Sequence, residues 1–236
     1  MPKTLALDKL RYADFVRPDD VIAWPQGPGE PVALTEALVA QRAELPHPEL
    51  LYGLTTSDTL RPEYAAHFRF RGFNGAYNSR RVSELAEIIP SHLHTFPALI
   101  RDRRVKVDIT LIQVRPLPDG RFTTGVISDF SGALIGAARM VIALLNPSLP
   151  PTLDDALVEA KDIDLLIDGD NRIIDMPDVP GHTASRSAPQ ACRRRWTRSS
   201  SLVCCSAGSS TTRCIRAAPS ALKPNWSSTI ASAGRR

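Results

Sequence analysis

The stretch Gln26-Gly27-Pro28-Gly29-Glu30-Pro31 decides the fold, because it separates two kinds of apolar pattern. An unbroken apolar run at residues 21–24 precedes it, and apolar residues at helical spacing over residues 34–45 follow it. The two glycines allow backbone angles that other residues avoid. The second proline suits the first turn of a helix, where its missing N–H costs nothing. The pattern predicts a strand, a glycine loop and a helix.

The glycine loop, residues 26–31, has a functional and a structural interpretation. Free N–H groups at the start of a helix bind anions or developing oxyanions, and glycines let a ligand approach the main chain closely. A carboxylate at Glu30 would repel a phosphate, so we favour an uncharged group such as a thioester carbonyl. The alternative is a purely structural turn between strand and helix, and the loop taken by itself favours that alternative.

Strands alternate with helices along the rest of the first 181 residues. Further strands are predicted at residues 50–54, 68–70, 88–90, 105–114, 122–127, 140–145, 163–167 and 172–174, and further helices at 78–86, 95–100 and 131–139. Residues 5–19 are interpreted as a capping segment. This alternation predicts an α/β fold with a mainly parallel sheet and flanking helices. Ligands bind such sheets at the carboxyl ends of the strands.

The composition changes abruptly at about residue 182. Residues 1–181 carry a net charge of −6 and no cysteine, whereas residues 182–236 carry +10, no acidic residue and all 4 cysteines. One interpretation is a disordered basic tail. We favour translation in a wrong reading frame, because Arg, Ser, Ala, Pro, Cys and Trp are what GC-rich coding DNA yields out of frame. The sequence therefore predicts an α/β domain at 1–181 and a disordered, frameshifted tail at 182–236.

Several classes of protein are disfavoured by the same composition. Residues 1–181 contain no cysteine, and so offer no disulfide and no thiolate metal site. His92 and His94 stand two apart in a predicted loop without further ligands nearby, so we expect no metal. The amino terminus has no long apolar region typical of a signal peptide, and no run approaches the ~20 apolar residues of a membrane span. We expect a cytoplasmic protein without membrane contact.

Short landmarks follow one another in a recognisable order. They are residues 17–21 (RPDDV), 27–31 (GPGEP), 73–75 (FNG), 89–93 (IPSHL), 107–109 (VDI), 112–114 (IQV), 118–120 (PDG), Asn146 with Pro150 and Thr152, and 162–164 (DID). In this order and spacing, the chain resembles the amino-terminal half of the acetyl-CoA hydrolase/transferase family. This family includes the 4-hydroxybutyrate and acetate CoA-transferases.

The resemblance implies transfer of coenzyme A between an acyl-CoA substrate and a small carboxylic acid. In the family a glutamate attacks the thioester, forms an enzyme-bound anhydride and becomes a glutamyl-CoA thioester. If water intercepts the intermediate, the activity is that of an acetyl-CoA hydrolase, which is the alternative. The family's catalytic glutamate lies in the carboxyl-terminal half, and the last acid of this chain is Asp178. We therefore name no catalytic residue and expect a chain that is inactive alone. The expected partner is a separate carboxyl-terminal half or another copy of the chain.

The resemblance also suggests which residues line the substrate site. They are Gln26, Gly27, Pro28, Gly29, Glu30, Pro31, Ser91, His92 and Gln113. Leu144 departs from the family, since many members carry a polar residue there. A second class of function stays open: a non-catalytic binding protein whose basic tail, with the RRRW run at 193–196, engages nucleic acid. The transferase interpretation, which includes no nucleic-acid partner, is preferred.

Overall fold

A ten-stranded sheet organises the part of the chain that the computed structural model describes, residues 2–73, 75–125, 127–152, 156–169 and 172–174. The strands are β1 Lys3–Ala6, β2 Val21–Ala23, β3 Glu49–Tyr52, β4 Arg69–Gly72, β5 Ala86–Ile88, β6 Ile109–Pro116, β7 Phe122–Thr123, β8 Met140–Leu145, β9 Leu157–Val158 and β10 Leu165–Asp168. Contacts between residues divide the chain into the units Met1–Pro180 and Gly181–Arg236, and the described residues all lie in the first. The predicted disordered tail at 182–236 lies outside the described residues.

The main path of the sheet is parallel throughout. Its order is β1-β10-β8-β6-β2-β3-β4-β5, and every neighbouring pair along it is parallel. Off this path, β7 pairs antiparallel with β6 and with β9. Within the described residues, three α-helices accompany the sheet: α1 Val32–Ala40, α2 Phe96–Arg101 and α3 Ser131–Ala137. The prediction of an α/β fold with a mainly parallel sheet is confirmed.

Alternate residues of the central strands face two apolar cores. Ile22 of β2 packs in the α1 core, the buried cluster that also holds Leu34 and Leu38 of α1. The neighbours of Ile22 in β2, Val21 and Ala23, pack instead in the α2–α3 core with residues of those helices. Parallel sheets are covered on both faces because their crossover connections lie there. This explains why β2 and β8 read as unbroken apolar runs.

Aspartates at the amino edge of the sheet accept hydrogen bonds from neighbouring strands. Asp108, immediately before β6, accepts the N–H of Val21 at 2.8 Å. Asp164, immediately before β10, accepts the N–H of Val141 at 2.8 Å in the same way. Buried backbone N–H groups need a partner, and these two would otherwise lie at the beginning of a strand without one. The landmarks at 107–109 and 162–164 are therefore explained by the architecture of the sheet.

Asp20 plays a related part just before β2. Its side chain is 4% exposed, accepts the N–H of Arg17 at 2.7 Å and forms an ion pair with Arg139. Arg139 also donates to the carbonyl of Phe15 at 2.9 Å. The landmark at 17–21 thus joins the entrance of β2 to the entrance of β8, a long-range contact that local sequence patterns do not reveal.

The structure corrects several predicted elements. Residues 78–86, predicted as a helix, form a 3-10 helix at Asn78–Val82 and a turn that leads into β5. The helix predicted over 34–45 ends at Ala40, and residues 172–174 form no strand. Segment 5–19 is expected from the sequence only to cap the domain, but its first residues belong to the edge strand β1. The side chains of β1 are mostly exposed, so the sequence shows no apolar alternation that would predict a strand. The Asn78 side chain donates to the Thr56 carbonyl at 2.7 Å, so a long-range contact fixes this turn.

Replacing Asp108 tests the role of the amino-edge aspartates. Asp108→Ala leaves the buried N–H of Val21 without its acceptor and is expected to lower the free energy of unfolding by about 1–3 kcal/mol. Asp108→Asn keeps an oxygen acceptor and should recover most of the loss. Urea denaturation measures both. The matched control is Asp102→Ala at the exposed end of α2, where a change within about 0.5 kcal/mol is expected. Equal effects of the two alanine variants would contradict this role.

Candidate functional site

The glycine loop lies at the carboxyl end of β2 and is bound to the segment that follows β3. Residues Gly27–Gly29 form a 3-10 helix, and the N–H of Gly27 donates to the Leu54 carbonyl at 2.7 Å. The N–H groups of Gly29 and Glu30 donate within the loop, each at 3.0 Å. The two prolines have no N–H. The N–H groups of Gly27, Gly29 and Glu30 are thus used within the protein and are not available to a ligand.

In the part of the chain that the structure describes, N–H groups without a hydrogen-bond acceptor lie at the start of α1 instead. Pro31 is the N-cap of this helix, which has no side-chain cap. The Pro31 carbonyl accepts the N–H groups of Leu34 and Thr35 at 2.8 and 3.1 Å. Among the described residues, the N–H groups of Val32 and Ala33 have no recorded acceptor, as is usual in a first helical turn. The donors predicted for the loop therefore lie one step further along the chain.

Both glycines of the loop have a structural explanation. Gly27 adopts φ 54°, a left-handed conformation that favours glycine. A Cβ atom on Gly29 would lie 2.9 Å from the side chains of Ile127 and Pro25, closer than real contacts allow. Close approach by a ligand is therefore not needed to explain either glycine.

Gln113 holds the loop from the side of β6. Its side chain is 1% exposed and donates to the carbonyl of Pro28 at 2.6 Å. The side-chain amide of Asn146, at the end of β8, donates to the Gln113 oxygen at 3.0 Å, and the Asn146 oxygen accepts the N–H of Ser148 at 3.0 Å. The carboxyl ends of β2, β6 and β8 are thus joined by one chain of buried amide hydrogen bonds. The structure brings Gln113 to the loop that the resemblance had associated with it.

Gln26 links the loop to two further segments. Its side-chain oxygen accepts the N–H of Leu54 at 3.4 Å, and its side chain also hydrogen-bonds to Asp129. Desolvation by neighbouring atoms raises the pKa of Asp129, while the N–H of Phe130 and the Gln26 side chain act in the opposite direction. Asp129 nevertheless keeps an exposed face. Sequence reasoning missed this residue, since an acid just before a helix is ordinary.

Glu30 is fully buried within a group of hydroxyl side chains. Its exposure is 0%, and the hydroxyls of Thr55, Ser57 and Thr35 hydrogen-bond to its carboxyl group, the latter two at 2.8 and 3.1 Å. Burial raises the pKa of Glu30, and these hydroxyls together with that of Thr59 lower it by a smaller amount. Sequence reasoning missed this group of hydroxyls at residues 55–59. The density of hydroxyls there was the available signal.

Ser91 and His92 lie in another part of the carboxyl edge, after β5. The Ser91 hydroxyl contacts that of Thr95 at 2.7 Å, and the His92 carbonyl accepts from Thr95 at 2.8 Å. The His92 and His94 rings are stacked 5.6 Å apart, and both residues are exposed. Within the described ranges, no side-chain hydrogen bond joins Ser91 or His92 to the glycine loop. Of the nine residues suggested for the substrate site, the structure thus groups Gln113 with the loop, and Ser91 and His92 separately.

Two further features concern the site's chemistry. Leu144, where many family members carry a polar residue, is 0% exposed within the α1 core and offers no polar contact. Over the described residues, no group of three or more His, Cys, Asp or Glu side chains is arranged to hold a metal ion. Over the same residues, the helices are all too short or too polar to span a bilayer.

Two curated relatives are CoA-transferases by name. The 4-hydroxybutyrate coenzyme A transferase of Clostridium kluyveri is 28% identical over 153 residues, covering 63% of this chain and 36% of the relative. The succinyl-CoA:acetate/propanoyl-CoA:succinate CoA transferase of Fasciola hepatica is 30% identical over 118 residues, covering 48% of this chain and 24% of the relative. This chain thus matches well under half the length of either relative. No protein-family model matches the chain.

Solved structures show the same relation at the level of fold. The 4-hydroxybutyrate CoA-transferase of Porphyromonas gingivalis superposes with a TM-score of 0.62 and 22% identity, covering 76% of this chain and 42% of that one. RipA from Yersinia pestis superposes with a TM-score of 0.68 and 20% identity, covering 77% and 44%. The chain resembles the amino-terminal part of a CoA-transferase. Its sheet and helices are therefore those of a CoA-transferase-like fold, as the landmarks predicted.

A double-mutant cycle tests the amide chain of this CoA-transferase-like fold. Gln113→Leu leaves the Pro28 carbonyl and the Asn146 amide without partners, and Asn146→Leu leaves the Gln113 oxygen without a donor. Each single change is expected to lower the free energy of unfolding by about 1–3 kcal/mol. The double variant should lose less than the sum, with a coupling of about 0.5–3 kcal/mol, as measured by chemical denaturation.

The control for this cycle pairs Gln113→Leu with Asp102→Ala, a change at an exposed and distant site. The two effects should add to within about 0.5 kcal/mol. If the effects of Gln113→Leu and Asn146→Leu are equally additive, the hydrogen bond between these two side chains contributes nothing to stability.

Proposed function

We propose that residues 1–181 are the amino-terminal α/β domain of a CoA-transferase whose complete form moves coenzyme A between an acyl-CoA and a small carboxylic acid. The acids in question are of the acetate or 4-hydroxybutyrate type. The observation that supports this proposal most directly is the position of the glycine loop, which lies at the carboxyl edge of the sheet and is held there by Gln113. The two curated relatives are named CoA-transferases. Open parallel sheets bind their ligands at this edge.

The chemistry proposed for the complete enzyme proceeds through a glutamate of the other half. The carboxylate attacks the thioester carbonyl, the C–S bond breaks, and an acyl-glutamyl anhydride and a CoA thiolate result. The thiolate then attacks the glutamyl carbonyl, which gives a glutamyl-CoA thioester and releases the first acid as a carboxylate. An incoming carboxylate reverses these steps and leaves as the new acyl-CoA. Water attacking the intermediate would give the hydrolase.

In this proposal the domain described here forms one wall of the acyl site. Gln113 fixes the Pro28 carbonyl, and the Gly27 N–H is held by Leu54, so the loop reaches the site in one conformation. The N–H groups of Val32 and Ala33 point out of the start of α1, where the helix dipole favours developing negative charge. Preorganised donors of this kind stabilise an oxyanion without having to reorganise during the reaction.

Glu30 is not proposed as the nucleophile. A carboxylate that attacks a thioester must reach the substrate, whereas Glu30 is 0% exposed and is surrounded by hydroxyls of its own domain. The catalytic glutamate is therefore proposed to come from outside residues 1–181, from a separate chain or from the part of the gene that residues 182–236 replace. The chain alone is proposed to be inactive, and its location to be the cytoplasm.

A chimera tests the proposed function. Residues 1–181 replace the matching segment of the Clostridium kluyveri relative, and CoA transfer from acetyl-CoA to 4-hydroxybutyrate is measured. Transfer is expected in the chimera and not with the 236-residue chain alone. The control is the same chimera with the relative's catalytic glutamate replaced by alanine. A chimera that unfolds cooperatively but transfers no CoA would contradict the function, and sustained exchange by the chain alone would contradict its inactivity.

The reading-frame interpretation makes a separate prediction about the gene. Resequencing from codon 175 onward, read in all three frames, is expected to show a second frame that continues as a glycine-rich α/β sequence containing a glutamate. That result would make residues 182–236 an artefact or a disabling mutation. If no other frame encodes such a sequence, the basic tail is genuine, and salt-dependent DNA binding that is lost on deleting 182–236 becomes the competing function.

A further inference from the structure

Glu30 belongs to a closed ring of oxygen atoms beneath the glycine loop. One carboxyl oxygen contacts the Thr55 hydroxyl, which lies 3.0 Å from the Ser57 hydroxyl, and Ser57 lies 2.8 Å from the other carboxyl oxygen. Thr55 is 1% exposed and Glu30 0%. Two further hydroxyls join the ring directly: Thr59 lies 2.9 Å from the Ser57 hydroxyl, and Thr35 lies 3.1 Å from both Thr59 and the Glu30 carboxyl. The arrangement is a buried site, not a surface turn.

The number of protons in this ring depends on the state of Glu30. The ring has three oxygen–oxygen contacts, and Thr55 and Ser57 each supply one hydroxyl proton. If Glu30 is ionised, both protons point to the carboxylate, and the 3.0 Å contact between Thr55 and Ser57 has no proton. If Glu30 carries a proton, it donates to Thr55, Thr55 donates to Ser57, and Ser57 donates back to Glu30. With Thr35 and Thr59 included, six oxygen–oxygen contacts share four hydroxyl protons. A carboxylate therefore leaves at least two contacts without a proton, whereas the neutral acid supplies a fifth proton and closes the ring of Glu30, Thr55 and Ser57.

Backbone N–H groups favour the arrangement in which Glu30 donates to Thr55 and Thr55 donates to Ser57. The N–H of Ser57 donates to the Thr55 hydroxyl oxygen at 3.1 Å, and the N–H of Thr59 donates to the Ser57 hydroxyl oxygen at 3.3 Å. With a neutral Glu30, the Thr55 oxygen accepts two hydrogen bonds and donates one, which is its full capacity. The Ser57 oxygen likewise accepts from Thr55 and from the N–H of Thr59 and donates to Glu30, and its 2.9 Å contact with the Thr59 hydroxyl is the contact left without a proton. A buried polar network is favourable when each member is satisfied and costly when it is not.

We propose that Glu30 is a positioning residue that acts as a neutral carboxylic acid, and that its O–H donates to Thr55 and thereby locks the glycine loop onto residues 55–59. The proposal rests on the proposed function in one respect only, namely that the loop lines the acyl site. The bond it describes joins the loop before α1 to the segment after β3, and the Gly27–Leu54 hydrogen bond lies beside it. Loss of the acid's proton would reverse the direction of the Thr55–Glu30 hydrogen bond and remove the proton from the Thr55–Ser57 contact.

Charged groups on the elements packed against Glu30 have other partners. On α1 the acid is Glu36, which pairs with Arg172 at 2.7 Å. On the segment after β3 it is Asp58, which pairs with Arg81 at 2.5 Å. Asp129 lies beyond Gln26 and hydrogen-bonds to it. Among the described residues no cation forms an ion pair with Glu30, so a buried carboxylate there would be stabilised by hydroxyl hydrogen bonds alone. The raised pKa of Glu30, caused by burial, agrees with this arrangement.

The test compares the 236-residue wild type with Glu30→Gln across pH. A native state that keeps a proton which the unfolded state loses becomes less stable as pH rises. Below the ordinary pKa of 4.5, the ratio of the two unfolding constants should be constant. Above 4.5, the wild-type constant should rise about tenfold per pH unit relative to the variant, until the folded acid ionises. The control, exposed Glu84→Gln, should show no such slope.

The amide variant is informative because its shape matches the neutral acid. The side chain in Glu30→Gln can donate to Thr55 and accept from Ser57, so folding should be retained. Glu30→Leu, which can do neither, should weaken hydrogen-exchange protection of the Gly27 and Gly29 N–H groups by at least tenfold at pH 7. A ratio of unfolding constants that is flat or falls with pH would overturn the neutral acid. Unchanged protection in Glu30→Leu would overturn the positioning role.

Infrared spectroscopy covers the case in which a variant does not fold. With carbon-13-labelled glutamate, the folded wild type at pH 7 should show the carbonyl band of one neutral carboxylic acid, and Glu84→Gln should show it as well. Observation of carboxylate bands alone would overturn the proposal. These readouts need no substrate, so their failure is distinct from a failure of the chimera to transfer CoA.

Discussion

Burial of the central parallel strands on both faces is the constraint on which the rest of the structure depends. Since helices cover each face, the side chains of β2, β6 and β8 are mostly apolar, and the polar groups of these strands lie mainly towards the two edges. Every strand on the main path runs the same way, so one edge collects all the strand entrances and the other all the exits. At both edges, backbone groups at the strand ends need hydrogen-bond partners, and different side chains supply them.

The amino edge uses aspartates and the carboxyl edge uses amides and hydroxyls. Asp108 and Asp164 accept N–H groups from adjacent strands, whereas Gln113 and Asn146 satisfy a carbonyl and each other. The landmarks therefore fall into two groups, those that the fold itself requires and those that lie at the candidate site. Those at 107–109 and 162–164 report how parallel strands are begun, and they would be expected in this fold whatever reaction it served. At the exit edge, the landmark residues Gln113 and Asn146 connect to the glycine loop, Gln113 directly and Asn146 through Gln113.

The sequence predicted the central strands, but it did not predict the hydrogen bonds at the ends of the strands. The reason is that apolar patterns are local, whereas these bonds join residues far apart in the chain. Continuous apolar runs mark β2 and β8, and Gly27 marks a turn, because these signals are local. The hydrogen bond from Gln113 to Pro28 spans 85 residues, and that from Thr55 to Glu30 spans 25. No periodicity reports such pairs. The helix wrongly predicted over 78–86 failed in the same way, since contacts with residues 55–57 decide its conformation.

Glu30 also changes the electrostatic argument about the ligand. The sequence argument against a phosphate assumed a charged Glu30 facing the loop, but its carboxyl is 0% exposed and held by hydroxyls. A unit charge 4 Å from an anion is worth about 4 kcal/mol at an effective dielectric constant of 20, so a neutral Glu30 removes that objection. A different reason then favours a thioester carbonyl. Among the described residues, the N–H groups near the loop that lack an acceptor belong to Val32 and Ala33, which are 7% and 6% exposed. A group that reaches them must lose its water, and this costs far less for a neutral carbonyl than for a phosphate.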